Sequence, residues 1–226
     1  MRIATWNVNG IRARQGQLID WLAAETPDIV CLQEIKASLD QLPFELRDME
    51  HYWSYWHGEK GYSGVALLVS KSLAGALPVC SHPSFDFEQR IACATVPSPA
   101  GDVLVASVYV PNGGKDFDAK MRFLQALESF VAEASRGGRL IILCGDLNVA
   151  RTDRDIHPKE RKPNQIGARP EERAMIERTC TVRPTRPRLR NGSSSRAISV
   201  RRAAACGVRK RYASSQFSRS TTPSVG

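Results

Sequence analysis

Apolar residues along the chain fall into two patterns that alternate. Short runs at Arg2–Trp6, Asp28–Leu32, Gly64–Val69, Ile91–Val96, Val103–Tyr109 and Arg139–Cys144 are rich in Val, Ile, Leu or Ala and bounded by Gly, Pro or Asp. Each predicts a β-strand. Between them, Gln15–Glu25 places Leu18, Trp21 and Leu22 on one helical face, and Asp118–Ala134 repeats Met121, Leu124, Leu127 and Val131 at three- or four-residue intervals. A third helix opens at Pro170-Glu171-Glu172, since proline suits the first helical position and acids favour the positive end of the helix dipole; it is expected to run to about Arg178. Strands interleaved with helices predict an α/β layered domain over residues 1–178.

At Thr179 this pattern stops. The last 48 residues hold ten Arg and nine Ser, no Asp or Glu, and no sustained period of either kind. Too few apolar side chains are available there to offset chain entropy, so disorder or weak helix is expected for 179–226. The break also changes the meaning of the formal charge of +9. Residues 1–178 carry 21 Lys and Arg against 23 Asp and Glu, a net −2, whereas the tail carries +11. Bulk basicity is therefore no argument that the folded part binds nucleic acid; local patches would have to do so. The tail itself is either a basic arm that grips phosphates or the product of out-of-frame translation, and the abruptness of the break favours the second. The reading frames around codon 178 distinguish them.

Six cysteines (Cys31, Cys80, Cys93, Cys144, Cys180, Cys206) form no CxxC pair and have no His at ligand spacing. They are expected to be reduced and structural, as in the cytosol. The N-terminus has no stretch of signal-peptide length, and the longest apolar run, Val65 to Val69, is too short to span a bilayer. A cytoplasmic monomer without membrane contact is expected.

Polar residues stand just past the carboxyl ends of several strands, where α/β sheets gather ligands: Asn7, Glu34, and Asp146 with Asn148. Any one of them alone would be an ordinary turn or cap residue. Together, oxygen ligands without a His/Cys cluster point to Mg²⁺ (or Mn²⁺) rather than zinc.

Five segments carry a more specific signal. Ile3-Ala4-Thr5-Trp6-Asn7-Val8-Asn9-Gly10, Cys31-Leu32-Gln33-Glu34, Gly61-Tyr62-Ser63-Gly64-Val65, Tyr109-Val110-Pro111-Asn112-Gly113 and Cys144-Gly145-Asp146-Leu147-Asn148-Val149-Ala150 resemble, in order, the motifs of the exonuclease III and apurinic/apyrimidinic endonuclease family. The resemblance covers residues 1 to about 178. It implies a layered α/β-sandwich of the exonuclease III/DNase I-like type, and a metal-dependent DNA-repair phosphodiesterase acting as 3′-to-5′ exodeoxyribonuclease and abasic-site endonuclease on double-stranded DNA with abasic sites or 3′ ends. By the same resemblance Glu34 and Asn7 hold the catalytic metal, with Asp146 and Asn148 contributing. Tyr109 leans on the scissile phosphate, Asp146 orients or deprotonates the attacking water, and Asn148 hydrogen-bonds the phosphate. Asn112, Lys36 and Arg90 are candidate substrate-phosphate contacts, with Lys115, Arg151, Arg154 and Lys159 as further backbone contacts.

The family pattern continues through a tryptophan-bearing segment, a further Asp and a closing Ser-Asp-His, none of which occurs here: the last Asp is Asp155 and the last His is His157. The fold is therefore expected to be incomplete in its second half, with part of an apolar face uncovered, and nuclease activity to be weak or absent. Two further readings stay open: a phosphodiesterase for lipid or inositol phosphates on the same fold, and a catalytically dead DNA-binding fragment that uses the basic tail.

Overall fold

The computed structural model describes residues 1–136 and 138–181, so the expectation of disorder at 179–226, and Cys206 with it, falls outside the described residues from position 182 onward. Within them the short apolar runs are strands and the three- to four-residue repeats are helices. The elements are β1 (Ile3–Asn7), α1 (Gln15–Glu25), β2 (Ile29–Gln33), α2 (Phe44–Arg47), β3 (Tyr52–Glu59), β4 (Tyr62–Ser70), β5 (Val79–Ser81), β6 (Ile91–Val96), β7 (Val103–Tyr109), α3 (Phe117–Ser135), β8 (Leu140–Asp146) and α4 (Pro170–Thr181), with short 3-10 turns between some of them.

Two four-stranded sheets form, ordered β1-β2-β4-β3 and β5-β6-β7-β8. β1 runs parallel to β2 and β7 parallel to β8; the other pairings are antiparallel. Side chains alternate across a strand, and here the alternation builds four layers. Val30 and Leu32 of β2 face α1, packing with Leu18 and Leu22, while Ile29 and Cys31 of the same strand face the other sheet beside Val65, Val103 and Val105. On the far side Leu104, Ala106 and Val108 of β7 face α3 and α4 through Phe123, Leu124, Leu127 and Ile176. The order helix, sheet, sheet, helix is the layered α/β-sandwich expected from the sequence.

Two strands lie outside the sequence expectation. β3 hid because its apolar content is aromatic and interleaved with polar residues; in the structure Tyr52 and Trp56 face the α1 layer while Trp53 and Tyr55 face the inter-sheet layer. Aromatic side chains suit a pleated, half-buried surface. β5 is a three-residue edge strand whose Val79 is exposed. On α3 the buried stripe is Lys120, Phe123, Leu124, Leu127, Val131 and Ser135, with Met121 at its margin. Asp116 caps that helix by accepting the Ala119 N–H (2.8 Å). α4 continues three residues past the expected Arg178, and Arg178 ties it to α3 through both carboxylate oxygens of Glu128 (2.7 and 3.0 Å). All five described cysteines are free. None of the described helices is long and apolar enough to cross a membrane.

A polar interlock crosses the apolar layer between the sheets. Gln33, at the end of β2, donates to the Ser107 hydroxyl (3.0 Å); Ser107 in turn donates to the Leu32 carbonyl (3.0 Å), and Thr5 of β1 donates to the Gln33 amide oxygen (3.2 Å). Gln33 and Ser107 are fully buried. Buried polar groups are costly unless paired, so this chain favours one sliding position of the sheets over all others. Past it, β1 and β8 lie side by side, each paired on one flank only among the described residues and each half-exposed along most of its length.

Replacing Gln33 by Leu strips Thr5 of its acceptor and Ser107 of a donor. The expected loss is about 1–3 kcal/mol, read as a lower urea midpoint at unchanged m-value.

Candidate active site

Because β1 and β2 end in register (Asn7 opposite Gln33) and β7 and β8 end in register (Tyr109 opposite Asp146), four carboxyl ends gather where the two sheets meet. Glycine makes the last strand possible: at Gly145 (φ +151°) an added Cβ would stand 1.9 Å from the Val108 carbonyl oxygen, so only glycine lets β8 press against β7 one residue before Asp146.

Asn7 is the centre of the cluster. Its amide nitrogen donates to Glu34 Oε1 (2.7 Å) and to Asp146 Oδ2 (2.8 Å), while its Oδ1 accepts the Asn9 N–H (3.1 Å). That N–H can only donate, which fixes the amide: oxygen toward Asn9, nitrogen toward the carboxylates. In this arrangement Asn7 orients the Glu34 and Asp146 carboxylates with its amide nitrogen and turns its own oxygen to Asn9.

Lys36 bridges Glu34 Oε2 (2.9 Å) and Asn9 Oδ1 (2.5 Å). Burial by itself would raise the Glu34 carboxyl, but the hydrogen bonds from Asn7 and Lys36 and the lysine charge outweigh it, and the pKa lies below the ordinary value. The Tyr109 phenol faces the Glu34 carboxylate, and each shifts the other's titration. Burial, then the neighbouring Glu34 charge, push the phenol up to about 12. At neutral pH it is a proton donor.

Arg90, a candidate phosphate contact from the sequence, is turned into the protein. It is 3% exposed, with its guanidinium 4.7 Å from the Tyr109 ring centroid, its Nη2 on the Tyr62 hydroxyl (3.1 Å) and Glu88 beside it (2.7 Å). It braces Tyr109 from behind. Asn148 donates its side-chain amide to the Val110 carbonyl (2.8 Å) and its backbone N–H to Asp146 Oδ1 (3.1 Å), so its amide has one N–H to spare. Asn112 is exposed, its side-chain oxygen accepting the Gly114 N–H (2.9 Å), and it makes no direct contact with the carboxylates. Arg151 pairs with Glu177 (2.7 Å), and Lys115, Arg154 and Lys159 are exposed.

Left-handed backbone concentrates here, at Asn9 (φ +46°), Glu34 (+53°), Lys36 (+51°) and Asn148 (+47°). Each costs about 1–2 kcal/mol for a residue with a Cβ. The loops persist because their peptide groups are held: Gly10 N–H on the Glu34 carbonyl (2.8 Å), Lys36 N–H on that of Ser63 (3.0 Å). A separate shallow pocket of about 330 Å³, lined by Asp153, Ile156, Arg161, Lys162 and Arg169 among others, shares none of the cluster residues.

Lys120 and Glu172 escaped the sequence reading. They form a fully buried ion pair behind the Asn112 and Asn148 loops. The available signal was phase: Lys120 falls on the same helical stripe as Phe123, Leu124 and Leu127, where a lysine is out of place.

Residues 4–209 match the model of the endonuclease/exonuclease/phosphatase family. The chain is 33% identical to an exodeoxyribonuclease of Bacillus subtilis over 79% of its own length and 70% of that protein's, and 35% identical to the DNA repair nuclease APEX1 of Danio rerio over 76% and 57%. The chain thus spans between somewhat over half and about two-thirds of the length of these relatives. Among solved structures it is similar to a 3′ phosphatase (NExo) from Neisseria bound to a product DNA hairpin, with a TM-score of 0.68 and 29% identity over 79% of this chain and 70% of that one.

Two titrations check the electrostatics. Glu34 has a lowered folded pKa, so its contribution to stability is full above the ordinary carboxylate range and is lost as pH falls through the folded value. Asn7→Leu should move the Glu34 midpoint upward in a carboxyl ¹³C NMR titration; an unmoved midpoint would show that the amide is not holding the carboxylate. In ultraviolet difference spectra the wild type should develop one phenolate only near pH 12 that Tyr109→Phe lacks.

Proposed function

The chain is a member of the endonuclease/exonuclease/phosphatase family, and from that premise we propose that its Asn7–Glu34–Asp146–Tyr109 centre hydrolyses DNA phosphodiesters with Mg²⁺ or Mn²⁺, as a 3′-to-5′ exodeoxyribonuclease and abasic-site endonuclease. The observation that carries this reading is the single Asn7 amide shared by carboxylates from two different sheets. The donor set fits the ion: Mg²⁺ takes one or two carboxylates and completes its shell with water and phosphate oxygens, and Glu34 with Asp146 supply two. When bound, the ion polarises a phosphoryl oxygen and offsets charge on the leaving oxygen.

The chain's own groups divide the remaining work. Asp146, its carboxylate held by Asn7 and by the Asn148 N–H, accepts a proton from the attacking water. Tyr109, protonated at neutral pH and braced by Arg90, donates toward a phosphate oxygen. The spare N–H of Asn148 and the exposed Asn112 contact the same phosphate, and Lys36 tempers the charge around Glu34. Double-stranded DNA with abasic sites or 3′ ends is the substrate this chemistry suits. The relatives' names, exodeoxyribonuclease and DNA repair nuclease, support this reading, and a cytoplasmic site of action is proposed with it.

Turnover by this chain is a different matter from ancestry. The C-terminal Asp and Ser-Asp-His that the family resemblance implies have no counterpart in the sequence, and groups that act as a unit lose nearly all activity when one is removed. We therefore expect metal and phosphate binding to outlast catalysis.

The test pairs Mn²⁺ binding, followed by electron paramagnetic resonance, with cleavage of an abasic-site duplex in Mg²⁺ with and without EDTA. The wild type should bind Mn²⁺, Glu34→Gln should abolish that binding, and cleavage should be weak or absent. Duplex affinity that ignores both Glu34→Gln and EDTA but falls steeply with salt would favour the DNA-clamp reading instead. Rapid EDTA-sensitive cleavage would overturn the expectation of low turnover.

A further inference from the structure

Nothing in the reaction chemistry calls for a buried ion pair, yet one lies directly behind the site. Lys120, from the first turn of α3, and Glu172, from the first turn of α4, are both 0% exposed, with Nζ 2.5 Å from Oε1. The other donors of the ammonium point at two backbone carbonyls, Asn148 at 2.7 Å and Asn112 at 3.4 Å. An ammonium has three N–H groups and all three are taken, so none is left to reach a substrate phosphate.

We propose that the Lys120–Glu172 pair positions the phosphate-contacting residues Asn112 and Asn148 against the carboxylates, acting through their backbones; the proposal rests on the phosphodiesterase reading above. Three features support it. The Glu172 carboxylate accepts the N–H groups of Gly167 (2.8 Å) and Arg169 (3.0 Å), and the Gly167 carbonyl accepts the Ala150 N–H (2.6 Å). The loop after β8 is thereby gripped at Asn148 by the lysine and at Ala150 by the segment Glu172 holds. The loop after β7 lies on the lysine stem: at Gly113 (φ +80°) an added Cβ would stand 2.8 Å from Lys120 Cδ. Finally, Asn148 is left-handed, with its carbonyl on Lys120 and its N–H on Asp146, so moving one end of this peptide segment displaces the other.

Stability alone is a poor reason for such a pair. Buried ion pairs replaced by apolar residues of similar volume often leave a protein as stable as before. What apolar residues cannot do is hold two carbonyl oxygens at fixed points.

That difference supplies the test. In the full chain, Lys120→Met/Glu172→Leu removes both charges together, and Glu172→Gln removes one with little change of shape, so that one of them reports even if the other fails to fold. The probes are Mn²⁺ alone, by electron paramagnetic resonance, and thymidine 5′-monophosphate on the Mn²⁺-loaded protein, by ³¹P relaxation. A positioning role predicts Mn²⁺ affinity within about twofold of wild type and nucleotide affinity lowered about tenfold, the scale of one lost hydrogen bond. Wild-type nucleotide affinity in the variants would overturn it. So would equal loss of metal and nucleotide together with a lower melting temperature, which is the signature of a structural role. Should the wild type bind neither probe, the site reading fails, and amide hydrogen exchange decides the pair's role alone. Exchange about tenfold faster at Asn148 and Gly114, with Ile29–Gln33 unchanged, supports positioning; unchanged exchange at those two amides sinks it.

Discussion

The site depends on keeping two like charges together. Oxygens of Glu34 and Asp146 that lie 2.7 and 2.8 Å from the same amide nitrogen are at most 5.5 Å apart. At that range two carboxylates repel by roughly 3 kcal/mol at an effective dielectric constant of about 20. Asn7 offsets this by giving one N–H to each, and it is free to do so because its oxygen is already held by Asn9. Lys36 adds positive charge on the Glu34 side. A cluster built this way attracts a cation, and every other feature of the site serves to hold its members in place.

Carboxylates from different sheets can meet only if the sheets are fixed relative to one another. Apolar packing between them, from Ile29, Cys31, Val65, Val103 and Val105, is strong but tolerant of sliding, because dispersion is non-directional. The Thr5–Gln33–Ser107 chain removes that freedom within two residues of the strand ends. Directional bonds so near the site set the distance between β1–β2 and β7–β8, which is the distance across the carboxylate cluster.

Behind the strand ends lie two kinds of support. On the β7 side the Arg90 guanidinium backs the Tyr109 ring; on the α3–α4 side the Lys120–Glu172 pair holds the loops that bear Asn112 and Asn148. Both are charged side chains turned inward, each satisfied by partners that are not substrate. Preorganisation of this sort lets a polar site act without rearranging at the moment of reaction.

Hydrophobic period alone specified six of the eight strands among the described residues, three helices and an α/β layered domain, because burial on one face leaves a direct mark on the order of residues. The placing of Asn7, Glu34, Tyr109 and Asp146 at strand ends was equally legible, since position relative to an apolar run is a local property. Local pattern failed where the partner was distant. β3 owes its strand state to aromatic side chains divided between two layers, and β5 to a neighbour in the sheet. Arg90 and Lys120 meet their partners Tyr109 and Glu172 across 19 and 52 residues of sequence, beyond the reach of any local pattern. Whether the Asn7 amide turns its oxygen or its nitrogen to the carboxylates was likewise decided in three dimensions, by the backbone N–H of Asn9 on one side and by Asp146, from the opposite sheet, on the other. Sequence records which side chains must leave water; only the folded chain determines which polar group each of them meets there, because a hydrogen bond depends on the direction of both partners and a hydrophobic contact on neither.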